Sequence, residues 1–161
     1  MTYGYQRYNQ HDVLKPHWGF WLTSLFLLRH LIGFVLVSMS GRGGRVGVSK
    51  EAIDLGDVMS LIEPIYMIAD TPALLLLYAV GARVPKAGAA VRGIWNAGRW
   101  LILASVGIYL TLFVVTHGTN LETFGPATWT SLLLSALVAS FAFGSRYMKD
   151  LFSQFPAAET K

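Results

Sequence analysis

No cysteine occurs anywhere in the 161 residues. Thiol nucleophiles, disulfides and thiolate-bound metals are therefore excluded. Charge is also scarce: Asp, Glu, Lys and Arg make up 14% of the chain, against about 25% in soluble domains. Acidic residues are scarcer still, nine against thirteen Lys and Arg. The resulting +4 is too small and too dispersed for nucleic-acid binding. It fits the basic bias of cytoplasmic loops in a membrane protein. A cleavable signal is not expected, because residues 1–15 are polar and the first apolar run is too long. That run also lacks an Ala-x-Ala-like ending, so the mature chain is expected to keep it. No internal repeat is present, which removes the basis for an inverted-repeat transporter.

What the sequence has is apolar runs. Hydrophobic residues are 53% of the chain, concentrated at about 18–39, 58–82, 94–116 and 128–146. Each run approaches or exceeds the roughly 20 residues that cross a bilayer core as a helix. The expected fold is all-α: one polytopic membrane domain over 1–161, a four-transmembrane-helix bundle. Charge then orients it. With both termini inside, nine basic residues lie in the cytoplasm, including Arg83, Lys86, Arg92 and Arg99 between the second and third runs. Only Arg42, Arg45 and Lys50 lie outside, so the positive-inside rule favours N-in, C-in. Trp18, Trp21, Trp95, Trp100 and Trp129 fall at span ends, where an amphipathic indole straddles headgroup and tail. The stretch 40–57 begins with flexible glycines and then suits a short interfacial helical turn, with Ser49 as its cap.

The second run is atypical, since Glu63, Pro64, Asp70 and Pro72 interrupt it. Each proline removes a backbone donor, so this helix is expected to kink or break. Arg29 lies about eleven residues into the first run and Asp70 about twelve into the second, entered from the opposite side. At about 1.5 Å per residue the two reach similar depth. A charge there costs roughly 2.5–3.5 kcal/mol, so an Arg29–Asp70 ion pair is expected. Glu63 lies seven residues before Asp70 on the same stripe, with Tyr66 near it. Arg29, His30, Glu63, Tyr66 and Asp70 thus form a candidate intramembrane polar cluster. It reads either as a proton path or as a pair that fixes helix packing.

Other chemistry is not supported. No metal-ligand spacing emerges from the four histidines, of which His11, His17 and His117 sit near or beyond the membrane edges. Gly41-Arg-Gly-Gly-Arg45 lacks the context and the Lys-Ser/Thr ending of a phosphate loop. Ser131, Ser135, Ala136 and Gly144 suit close helix contact rather than catalysis. No catalytic constellation and no cofactor motif is found.

The chain ends carry a further pattern. Tyr8 to Pro16, with Leu14, Lys15 and Pro16 as its close, precedes Trp21 and Phe26-Leu-Leu-Arg29. Pro72-Ala-Leu-Leu-Leu-Leu77, Trp95-Asn-Ala-Gly98-Arg99 and Ser145 to Pro156, with Phe152 and Phe155, follow in order. Together they resemble the YfeZ-like family of bacterial inner-membrane proteins, a domain of unknown function. His30 stands where that pattern usually has Pro, and Asp12 where it usually has Gly. The outer loop after the first run is also longer. The resemblance implies location and fold and brings no activity. The proline-ended segment at each end of the chain suggests that the two dock together beneath the bundle. The expected role is a non-enzymatic accessory protein of the inner membrane, contacting lipid and packing with a larger complex or itself. The alternative is a small proton-coupled transporter component using the Arg/Glu/Asp cluster.

Overall fold

The computed structural model describes residues 7–8, 13–42, 64–118 and 125–156. Glu63, the Gly-Arg-rich stretch and the possible Ser49 cap lie outside them. All regular structure among the described residues is helical. The helices are α1 Trp18–Leu27, α2 Arg29–Arg42, α3 Met67–Gly81, α4 Ala89–Asn96, α5 Gly98–His117, α6 Pro126–Gly144 and α7 Arg146–Ser153. A 3-10 turn, Pro64–Tyr66, leads into α3.

Two helices are long and apolar enough to cross a membrane, Pro64–Gly81 and Gly98–His117. The number rises to four if each of two bent pairs is one span: Trp18–Leu27 with Arg29–Leu36, bent by 65°, and Thr128–Gly144 with Arg146–Ser153, bent by 64°.

Pro72 does not break its helix: it is buried inside the continuous α3. Pro64 opens the 3-10 turn at the edge of the described residues. A sharp bend falls instead between α1 and α2, at Leu28, where φ is -92° and ψ is 10°. Helical bonding resumes at once, with Ile32 N donating to Leu28 O at 2.9 Å. The third run also starts differently from its expected single helix. A short α4 stops at Asn96, and Ala97 joins it to α5.

The fourth run opens as expected of a helix with Pro in its first turn, after Gly125. It ends at Gly144, where Ser145 accepts from Met148 N through its side chain and caps α7. Helix α7 is amphipathic: Met148, Leu151 and Phe152 are buried at helical spacing while Lys149 is exposed. Helix α3 is central, packing on α1, α2, α4 and α5, and α5 packs in turn on α6. The larger core lies toward the ends of the chain, around Leu14, Phe20, Trp95, Met148 and Phe152.

Candidate functional site

The break at Leu28 sets up the candidate polar cluster. A new helix starting at Arg29 has first-turn amides with no partner inside the helix. Asp70, 1% exposed on α3, answers one of them: its Oδ2 accepts from Leu31 N at 2.8 Å. Its Oδ1 lies 2.9 Å from His30 Nδ1. Where the carboxylate is ionised it can only accept, and the imidazole is then the donor from Nδ1. The His30 ring stacks on Tyr66, with centroids 5.4 Å apart, and on Tyr109, at 5.5 Å. Asp70 thus acts as an N-cap supplied by another helix, its negative charge at the positive end of α2.

The expected Arg29–Asp70 ion pair does not form. Arg29 Nη1 donates to Phe26 O at 3.0 Å and Nη2 to Ser131 Oγ at 3.3 Å. The guanidinium lies between two rings, 4.1 Å from the Phe26 centroid and 4.4 Å from that of Tyr109. Cation–π contact and neutral acceptors stand where the carboxylate was expected. The reason is angular. Successive residues on a helix point about 100° apart, so only one of Arg29 and His30 can face α3, and His30 does.

Four of the five expected cluster residues therefore come together: Arg29, His30, Tyr66 and Asp70. Several partners were not foreseen. The Tyr109 hydroxyl and Ser131 Oγ share a hydrogen bond of 2.7 Å, and Ser105 Oγ donates to Ala69 O. The Tyr66 hydroxyl shares one of 3.2 Å with His117 Nδ1. Ser105 and Tyr109 stand four residues apart on α5, a spacing that marks one helix face. Read against the carboxylate in the second run, that spacing was a usable signal. Ser131, taken as a small packing residue, is a hydrogen-bonding member of the cluster. The side chains of the cluster leave no room among them for a water molecule.

The family landmarks gather at a different place, a clasp that joins the two ends of the chain. Leu14, fully buried, donates its amide to Gln154 Oε1 at 2.9 Å. Arg83 bridges both segments, Nη1 donating to Leu14 O and Nη2 to Gln154 O, each at 2.8 Å. Its guanidinium lies 4.3 Å from the Trp95 ring centroid. The Trp95 indole N–H is shared between Leu151 O at 3.1 Å and Gln154 O at 2.9 Å. The Tyr147 hydroxyl donates to Lys15 O, next to Pro16. Pro156 is fully buried, and Arg92 lies over the Phe155 ring at 5.2 Å. Gly98 is required by close approach, because a Cβ there would collide with the Phe152 ring. Arg99 closes the end of α6, donating to Ala142 O and Phe143 O at 2.9 Å each. Pro72 alone lies away from these contacts, inside α3. The docking of the two ends is as their matching sequences suggested.

Burial pushes Arg83 down from its ordinary value to about 10, which still leaves it charged at neutral pH. Burial also raises the Tyr147 phenol, so it remains a neutral donor. The clasp is thus a set of N–H and O–H donors, Arg83 among them, that meet backbone carbonyls and the Gln154 side chain and so hold the two chain ends together.

No curated protein and no solved structure matches the chain. A family model described as "Protein of unknown function (DUF2919)" matches residues 3–154. That match takes in both sides of the clasp and the whole polar cluster, and the chain belongs to the DUF2919 family of proteins of unknown function.

Proposed function

We propose that this protein is a small, non-enzymatic accessory component of the bacterial inner membrane, packing with a larger membrane complex or with itself. The observation that carries this reading is the closed state of the polar cluster. Both Asp70 oxygens are engaged, Arg29 is spent on Phe26 and Ser131, and no water fits between them. Such a cluster fixes how α1, α2, α3, α5 and α6 meet. It is not a path.

Four spans with both termini inside suit the same reading. The N-terminal segment brings Arg7 and Lys15 to the clasp end. The connection from α3 to α5 brings Arg83, Lys86, Arg92 and Arg99, and α7 brings Arg146 and Lys149. Among the described residues Asp150 is the one carboxylate on these segments. A basic end of this kind belongs on the cytoplasmic side. Blue-native electrophoresis in mild detergent at native expression tests the accessory role. A complex or homo-oligomer is expected, and a monomer with nothing co-purifying counts against it.

A second reading has one observation in its favour. Asp70, His30, Tyr66 and His117 form a string from the interior to the exposed end of α5, the ingredients of a proton-coupled component. Its weak step is His30 to Tyr66, which is a ring stack. Loss of flux in Asp70→Asn, with the protein folded and abundant, would favour this reading over the first.

A further inference from the structure

A cleft of about 420 Å³ lies between α1 and α6 at the clasp end. Leu22 and Phe26 form one wall, and Leu134, Leu137 and Phe141 the other. Gly19 lets the walls converge, since a Cβ there would stand 3.0 Å from Phe141 Cζ. One end of the cleft is different in kind: Arg7, His17, Ser145 and Tyr147 line it where α1 begins and α6 ends. The lining therefore changes along the two helices, apolar along their length and cationic or hydrogen-bonding at that end. It is also distinct from the polar cluster, which it touches only through Phe26.

Size and charge choose the occupant. A water takes about 30 Å³ in the liquid and a methylene a similar volume, so the cleft holds on the order of a dozen methylenes. That is one acyl chain. A helix about 10 Å across, rising 5.4 Å per turn, would fill the same volume with a single turn, which makes a partner helix a poor fit. That end carries Arg7 and is the one where the basic residues of three segments gather. An anion is the complementary headgroup, and the surrounding bilayer supplies one at that depth.

We propose that the cleft is a specific site for an anionic phospholipid, one acyl chain lying between α1 and α6 and the phosphate at Arg7 and the His17 ring. The chain is drawn in by aliphatic and aromatic walls, and the headgroup sets the preference. Binding would tie the lipid to the same N-terminal and α7 segments that form the clasp.

Native mass spectrometry of the full-length protein, released from bilayer discs of equal phosphatidylglycerol and phosphatidylcholine with identical chains, tests this. The wild type is expected to retain one lipid per chain, predominantly phosphatidylglycerol. Arg7→Gln should reduce that preference about fivefold, the weight of one cation near a membrane surface, without changing phosphatidylcholine retention. Lys86→Gln, on the same basic end but not lining the cleft, should leave the preference intact. Leu137→Trp, at a 64% exposed position, fills the cleft and should cut retention of both lipids severalfold with the thermal midpoint unchanged. Equal retention of the two lipids by the wild type overturns the proposal. So does full phosphatidylglycerol retention in Leu137→Trp, or an equal loss of preference in Lys86→Gln and Arg7→Gln.

Discussion

The carboxylate of Asp70 lies 2.9 Å from His30 Nδ1 and 2.8 Å from the amide of Leu31. One side chain on the third helix thereby satisfies both a ring and a helix start across the gap that Leu28 opens. The bend between α1 and α2 has its cause here. No proline or glycine stands at the break, and what stabilises it is a buried carboxylate placed where the free amides of α2 emerge.

The first prediction follows from that geometry. His30 and Asp70 should be energetically coupled, and Arg29 and Asp70 much less so. A double-mutant cycle by thermal unfolding in detergent, using His30→Phe and Asp70→Asn, should give a coupling of roughly 1–3 kcal/mol. The parallel cycle with Arg29→Leu should give a smaller value. Asp70→Asn alone keeps one acceptor and loses the other, and should cost on the order of 2–3 kcal/mol. Larger coupling to Arg29 than to His30 would reverse the assignment of Asp70's partner.

What could be read from the residues alone, and what could not, divides along the same line. The apolar runs located the helices, and the two proline-ended segments pointed to each other, because both signals are local composition. Depth matching paired Asp70 with Arg29, and the structure pairs it with His30 instead. Depth alone misassigns the partner, because which of two adjacent residues faces Asp70 depends on the angle of a helix that breaks between Leu27 and Arg29. Pro72 misled in the opposite direction: a missing amide is tolerated inside α3, which is buried against four neighbours. The clasp contacts of Arg83, Trp95 and Arg99 go to backbone carbonyls, and no sequence pattern announces those.

A second prediction concerns Gly98. A methyl group at this position would run into the Phe152 ring, which is 2% exposed and held between Phe20 and Trp95. Gly98→Ala should therefore destabilise by about 1–3 kcal/mol, as overpacking does, despite adding a better helix former. Pairing it with Phe152→Leu should recover part of the loss. A Gly98→Ala variant that melts at or above the wild-type temperature would mean the two helices can separate freely there.

The absence of cysteine makes the topology directly testable. Lys86→Cys and Lys149→Cys introduce single thiols at exposed positions, and Glu122→Cys places one in the connection after α5. With both ends inside, an impermeant maleimide should label position 122 in intact spheroplasts, and positions 86 and 149 only after the membrane is opened. Labelling of position 86 from outside would invert the orientation, and labelling of 86 and 149 from opposite sides would change the number of spans.

The last prediction uses the charge at the clasp. Arg83 serves two carbonyls at once through its forked guanidinium, a geometry that a lysine ammonium cannot reproduce. Arg83→Lys should loosen the junction of the two chain ends, seen as a lower melting temperature and faster proteolytic trimming after α7. Its pH dependence should also differ from the wild type. Burial holds Arg83 at about 10, so until pH comes within about a unit of that value the wild-type side chain is charged whether folded or unfolded and contributes little slope. A lysine starts from about 10.4 in the unfolded chain, and the same burial lowers it in the folded one. With the folded value below the unfolded value, the cost of burying the charge is fully present below the folded value. Stability then rises as pH climbs toward the unfolded value. The stability gap between Arg83→Lys and wild type should narrow between pH 7 and pH 9.5 in paired thermal melts. A gap that stays constant across that range would mean that position 83 is not desolvated, and that the two chain ends are held by Trp95 and Gln154 without it.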